Sequence, residues 1–485
     1  MHIKQLSSVR PVLQNSPRAA AGHRLLTTAT AQTNPKEGNI SSVFVSLSGA
    51  AKEALPERFA DQKKRLIHGN EEAVKKSWDR LLAQLRDEVT TIAQHGPRII
   101  PSINFRDIDD APAEFHSELR KRGVAVVRGV IPEAEARGYK EEVEAYVRAN
   151  PQTRAFPPHD PQVFELYWSK PQMRARLHPN MLKTQRFLMS YWHSTDANAL
   201  ISPIQPISCA DRLRIRQPGD AGFALGPHVD GGGVERWEDH GYGRGKVYQH
   251  IWYGRWKEHG PWEASCRVPA VADNYNGAGA CSMFRMFQGW LSMSHTGPRE
   301  GTFLVNPLLS LASAYYLLRP FFEPVSGPPT TVSLLALDTY LEPTNWRLEL
   351  RTTSKLEGAT PEYARELTEL LHPHLQLDKT MIPVPKTAPA IHSVGKIHDG
   401  SGDSSVMYIP CCPLTEANAE VPPPDFPGGK GESEHVGRAT ETDVRGLASQ
   451  EGLQTLGLMR WDTKQANLQE GQRAVLERAN RILGL

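Results

Sequence analysis

Gly226-Pro227-His228-Val229-Asp230-Gly231-Gly232-Gly233 places a histidine and an aspartate two residues apart in a setting of glycines. Two ligands from one strand end and a third from another strand leave open positions on a metal, the two-histidine, one-carboxylate arrangement that suits Fe(II). A chain with 18 histidines is expected to hold about one His-x-Asp by chance, so the spacing alone is a weak signal. Its placement strengthens it. The pair follows a β-like run, Leu213–Arg216, and a Pro218-Gly219 turn. The one His-x-Glu, His116-Ser-Glu118, falls in a predicted helix, Glu114–Arg122, where residues two apart do not share a face.

The third ligand is expected just before a last strand, and Ile391-His392-Ser393-Val394 ahead of Ser404–Pro410 has that form. His398 competes, but among Lys396, Asp399 and Gly400 it reads as a hairpin tip. His372 and His374 flank Pro373 at a predicted helix end and read as surface residues. Between the two ends of this triad lies Cys281-Ser-Met-Phe-Arg285-Met-Phe-Gln288-Gly-Trp290. Strand alternation puts Arg285 on one face with Met283 and Phe287, and Gln288 on the other with Phe284, Met286 and Trp290. An arginine among apolar side chains must be paired if buried. An internal carboxylate would do, and so would a bound dicarboxylate gripped by two parallel hydrogen bonds. Trp237, Trp252, Trp256 and Trp262 follow the histidine motif closely and fit core packing or a lid more simply than a stacking cage.

Outward from the motif, residues 160–420 carry short β-type runs between Gly, Pro and Asn: Val247–Tyr253, Ser282–Ser294, Thr302–Val305, Val332–Leu337 and Ser405–Ile409. Such texture suggests an all-β sandwich or barrel. Helices are expected at Leu308–Phe322 and Pro361–Leu371. Upstream, Val74, Trp78, Leu81, Leu82, Leu85, Val89 and Ile92 recur at helical spacing across Asn70–His95, and Gly96-Pro97 ends the pattern. A short strand, Val124–Val127, precedes a proline-initiated helix running from Glu133 to about Ala149. The expected organisation is a tail at 1–36, a helical region at 53–150, a β core at 151–420, and a Pro/Gly linker with C-terminal helices at 421–485.

Composition excludes several classes. Of 485 residues, 56 are basic and 54 acidic, giving a formal net charge of +2 and no electrostatic footprint for nucleic acid. Basic runs such as Lys63-Lys64-Arg65 read as solvated helix faces. No window has the long uncharged apolar run of a membrane helix. Five cysteines without CxxC spacing argue against a disulfide framework or a structural zinc site, and fit a reducing compartment. Residues 1–36 hold Lys4, Arg10, Arg18 and Arg24 but no acidic residue, as a mitochondrial presequence or a disordered tail would. The expected location is mitochondrial or cytoplasmic.

Several longer runs carry a resemblance: Arg214–Asp220, Leu225–Gly233, Glu235-Arg-Trp237, Phe284–Trp290, Leu317–Phe322 and Ser404–Pro410. Over almost everything from residue 53 onward the chain resembles the YbiU-like family of fungal and bacterial proteins, a family of unknown function. The resemblance implies a mainly β (α+β) fold, a double-stranded β-helix (jelly-roll, cupin-like) barrel with N-terminal and C-terminal helices. It implies an Fe(II)/2-oxoglutarate dioxygenase site at His228, Asp230 and His392, acting with O₂ on a small molecule, while the charge balance and hydropathy give no nucleic-acid or membrane partner. Arg285 or Arg216 would anchor 2-oxoglutarate, with Gln288 beside it. The chain departs from the pattern in running almost directly from Pro389-Ala390 into Ile391-His392, where the family has a longer segment. Two rival readings follow: an inactive barrel that serves as a binding protein, and a Zn-dependent hydrolase on the same ligands.

Overall fold

Trp78 stacks on Phe322 with ring centroids 4.3 Å apart and on Tyr315 at 5.4 Å, which joins the longest helix to the middle of the chain. That helix, Glu71–His95, buries the apolar stripe expected of it, from Val74 to Ile92. Glu71 and Glu72 occupy its first turn, where carboxylates oppose the positive end of the helix dipole. Gly96, at φ 53°, ends it. Its partner helix, Leu309–Leu318, is buried on nearly every side, as an all-apolar helix must be.

The structure is a computed structural model that describes residues 40–49, 53–220, 222–277, 283–329, 334–349, 353–384, 392–394, 398–420 and 432–485. The expected tail at 1–36, the shortened stretch before His392, Cys281, and the linker at 421–431 lie outside the described residues. Those described belong to one unit, Lys36–Leu485.

Two five-stranded antiparallel sheets frame the candidate site. One runs Ala155–Phe156, Val163–Phe164, Leu213–Arg216, Ser404–Tyr408, Trp290–Ser292. The other runs Arg365–Glu366, His228–Val229, His392–Val394, Phe303–Val305, Ile382–Pro383. In the first sheet Leu213, Ile215, Leu291 and Met407 pack against the helix Glu133–Ala149. Strand alternation turns Arg214 to the opposite face.

This architecture corrects the expected fold class. The protein is not mainly β, with helix accounting for 44 % of it, and among the described residues the sheets are small, do not close and show no jelly-roll barrel. Among the described residues the end strands of each five-stranded sheet have one neighbour only. Most strands are two to four residues long and carry few ladder bonds each. The long segments between them fold as helices and turns. Thus Val247–Tyr253 contains the helix Gln249–Trp252, and the second half of Val332–Leu337 begins the helix Leu334–Leu341. Conversely, the expected helix Pro361–Leu371 holds the strand Arg365–Glu366. Short apolar runs satisfy a buried helix or a buried strand equally well, and neighbours decide between them.

Burial overturns two further expectations. His372 and His374 are inside the protein, packed near Tyr315 and Trp346. Burial pushes the imidazole of His374 down to about 3. Lys63 is buried as well, donating to the carbonyls of Pro320 at 2.9 Å and Lys355 at 3.0 Å.

Candidate functional site

His228 and Asp230 leave the second sheet where its strand passes into the glycine loop. Gly231 and Gly232 have φ of 82° and 89°, a region that side-chain-bearing residues avoid. A Cβ on Gly233 would lie 2.5 Å from the Tyr363 carbonyl and 2.6 Å from that of Thr360. Three consecutive glycines are therefore a steric requirement, and they let the chain turn sharply away from Asp230.

The His228 ring is buried, with Phe44 edge-on at 4.7 Å. Its Nδ1–H donates to the Gly226 carbonyl at 2.7 Å, which leaves Nε2 as the nitrogen bearing the lone pair. Nε2 lies 3.7 Å from Asp230 Oδ1. This is how a metal-ligating imidazole is ordinarily held, its second nitrogen fixed by a carbonyl. The other oxygen of Asp230 accepts from Gln288 Nε2 at 2.7 Å. Gln288 Oε1 in turn accepts from Arg285 Nη1 at 3.0 Å, and the same nitrogen lies 3.4 Å from Asp211 Oδ2. A four-residue chain, Asp211–Arg285–Gln288–Asp230, thus sets the carboxylate.

Of the residues expected from sequence, the structure brings His228, Asp230, Gln288 and Arg285 together. His392 pairs in antiparallel register with His228, so its backbone stands directly across the ladder from that residue; its side chain lies outside the described residues. Among the described residues no three His, Cys, Asp or Glu side chains gather around one point. Arg285 and Gln288 share one side because residues 283–289 are not an extended strand, contrary to the alternation expected of them. Arg216 is committed elsewhere, its buried guanidinium gripping the Asp220 carboxylate and donating to the Asp220 carbonyl at 3.0 Å. His398 is buried beside Gly400 and Glu300, away from this cluster. Trp237, Trp252 and Trp256 join the main core, whereas Trp262 lines a cavity.

Asp230 and Gln288 form part of the wall between two cavities, each of about 320 Å³. The first contains His228, Arg212, Arg214, Trp290 and Tyr408, with Phe44 covering it. Arg214 is 3 % exposed; its Nη2 donates to Gln162 Oε1 and the Phe223 carbonyl, each at 2.9 Å, while Nε has no partner among the described residues. Burial pulls its pKa down to about 10, still protonated at neutral pH. The second cavity is walled by Arg236, Arg267, Tyr242, Tyr248, Trp192 and Trp262, among others. Arg236 also braces the loop by donating to the Asp230 carbonyl and, at 2.7 Å, to Tyr248 Oη.

Sequence reasoning missed Arg214, Glu235 and Phe44. Arg214 was within reach, since it lies two residues before Arg216 on one strand and so shares its face. Glu235 is buried, takes the Gly233 N–H on Oε2 at 2.8 Å, and has its carboxyl pushed up to about 7 by burial. Its run Glu235-Arg-Trp237 carries part of the family resemblance, but nothing local in it signals burial of the carboxylate.

Comparison with known proteins bears on the whole of this arrangement. The chain is 28 % identical over 390 residues to the uncharacterized protein YbiU of Escherichia coli K12, covering 74 % of this chain and 86 % of YbiU. The crystal structure of GlcNAc Inducible Gene 2 from Candida albicans superposes with a TM-score of 0.76 at 28 % identity, across 90 % of this chain and 96 % of that one. A Salmonella typhimurium LT2 protein, named as a candidate oxidoreductase, superposes at 0.65 with 26 % identity, across 84 % and 99 %. A family profile described as Gig2-like matches residues 53–458, and with that span matched the chain belongs to the Gig2-like family.

Proposed function

We propose that this protein is an Fe(II)- and 2-oxoglutarate-dependent oxygenase that hydroxylates a small molecule. The observation that carries the reading is the pairing of His228, with its tautomer set by Gly226, and Asp230, with its carboxylate set by Gln288, beside the backbone of His392. The donor set fits the metal: two imidazoles and one carboxylate leave positions open for an oxo-acid and O₂. The name of the Salmonella relative, a candidate oxidoreductase, agrees in reaction class.

His228, Asp230 and His392 would hold the iron. Arg214 lines the first cavity and would take the far carboxylate of 2-oxoglutarate, a role expected from sequence for Arg285 or Arg216. Arg285 instead works through Gln288, keeping Asp230 oriented. Fe(II) with 2-oxoglutarate, when bound, supplies the activation of O₂ and the hydrogen-atom abstraction that ends in hydroxylation. Phe44, Trp290 and Tyr408 wall the first cavity and limit the water that reaches it. O₂ and a small-molecule substrate are the partners this chemistry needs. No helix of the described residues is long and apolar enough to cross a membrane.

The test is anaerobic visible absorption of the purified protein titrated with Fe(II) and then 2-oxoglutarate. A charge-transfer band that needs both ligands and vanishes in Asp230→Ala is expected. Absence of the band in the unaltered protein refutes the proposal. Turnover that persists with Zn(II) and without O₂ would point to the hydrolase instead.

A further inference from the structure

The second cavity has a chemistry of its own. Arg236 and Arg267 both enter it, and among the described residues neither meets a carboxylate within ion-pairing distance. Arg236, 6 % exposed, has only neutral partners: Tyr248 Oη, the Asp230 carbonyl, and the rings of Tyr242 and Tyr316, 5.1 and 5.8 Å away. Arg267 donates to the Glu263 carbonyl, contacts Cys266 Sγ at 3.5 Å and lies over the Trp192 ring at 5.3 Å. Arg236 is buried and Arg267 partly exposed, and a buried guanidinium without a carboxylate partner is costly unless something negative joins it.

Three buried polar atoms on residues of the same wall have no partner among the described residues: Arg236 Nε, Trp192 Nε1 and Asn306 Oδ1. Buried polar groups are nearly always satisfied, so each marks a place for a ligand or a water. Two are donors and one is an acceptor. The Asp230 carboxylate on the same wall accepts from Gln288 at 2.7 Å, and the remaining charged groups there are paired or neutral. Arg122 is paired with Glu88 at 2.8 Å and Glu118 at 3.0 Å, and Arg285 faces Asp211. His259 is held neutral, its imidazole pushed down to about 3 by burial and by Arg267. Trp192, Trp262 and Phe284 supply an apolar side.

We infer that this cavity binds the substrate to be oxidised, and that the substrate is a small anion, a carboxylate or phosphate ester, held by Arg236 and Arg267 with its carbon skeleton against Trp192 and Trp262. The assignment of the bound molecule as substrate rests on the oxygenase reading, because the carboxylate of Asp230 separates this cavity from the one that holds His228. The anion site itself does not.

Trp192 and Trp262 make the test direct. Metal-free protein, without 2-oxoglutarate, is titrated with benzoate, phenyl phosphate and neutral benzyl alcohol while tryptophan fluorescence is followed. At least one of the two anions is expected to bind about tenfold or more tightly than the alcohol, as charge-assisted hydrogen bonds allow. Whichever anion binds better tells carboxylate from phosphate. Arg267→Gln should weaken that anion about tenfold and leave the alcohol unchanged. Because Arg236 braces the loop, the second variant is instead Ser313→Asp, which adds a negative charge to the wall and is expected to weaken the anion by a similar factor. Equal binding of anion and alcohol, no anion binding, or anion binding indifferent to both substitutions overturns the inference. Anion binding that survives in a protein giving no iron–oxoglutarate band would leave the site standing and remove the oxygenase reading; the reverse result would do the opposite.

Discussion

Replacing Glu235 by glutamine should make the protein less sensitive to rising pH. The side chain is 2 % exposed, takes the Gly233 N–H, and has Glu238 for a neighbour. Burial, with a further push from Glu238, raises its carboxyl from 4.5 to about 7 against the opposing effect of the backbone hydrogen bonds. A carboxyl whose native pKa lies above its unfolded value binds its proton more tightly when folded. Its contribution is therefore fully present below pH 4.5 and is lost as pH rises through about 7. At about 1.4 kcal/mol for each pH unit, the interval from 4.5 to about 7 corresponds to about 3 kcal/mol. Glutamine keeps the acceptor for Gly233 and cannot ionise. Urea unfolding of both proteins, followed by tryptophan fluorescence at pH 4.5, 6 and 8, isolates this group, since the other titrations are shared. Glu235→Gln should gain about 3 kcal/mol on the parent between the lowest and highest pH. A difference between the two proteins that stays constant across that range would refute the reasoning.

Gln288→Leu should lower Fe(II) affinity by about 10- to 100-fold, as measured by competition with a chelator, because the Asp230 carboxylate loses the hydrogen bond that orients it. Gly233→Ala should abolish iron binding in the same assay, since the new Cβ would meet two carbonyl oxygens at 2.5 and 2.6 Å and displace the loop. Trp78→Ala, at a fully buried ring stacked between Phe322 and Tyr315, should cost about 3–5 kcal/mol in urea unfolding. Arg214→Gln should weaken 2-oxoglutarate, read from the concentration needed for the charge-transfer band, while leaving Fe(II) affinity within about twofold; an unchanged oxoglutarate dependence would remove Arg214 from the site.

The parts that could be read in advance are those whose cause is local. The helix Glu71–His95 follows from apolar residues at a period of 3.6 and a Gly-Pro stop, and the structure buries that stripe. The His228 loop was legible because its motif is short and dense, and the structure shows that the backbone demands glycine there. The resemblance to YbiU came from the same kind of short, dense motif and holds at 28 % identity. What could not be read depends on partners far apart in the chain. Strand Leu213–Arg216 lies beside Ser404–Tyr408, and Arg365–Glu366 beside His228–Val229, pairings that no window spans. The balance of helix and sheet was misjudged for that reason: an apolar run such as that beginning at Leu334 carries no mark of whether a helix or a strand will satisfy its surroundings. The same holds for charge. Glu235, Lys63 and His372 are ordinary residues in sequence, and only the packing of remote segments around them takes away water and so decides their ionisation and their partners.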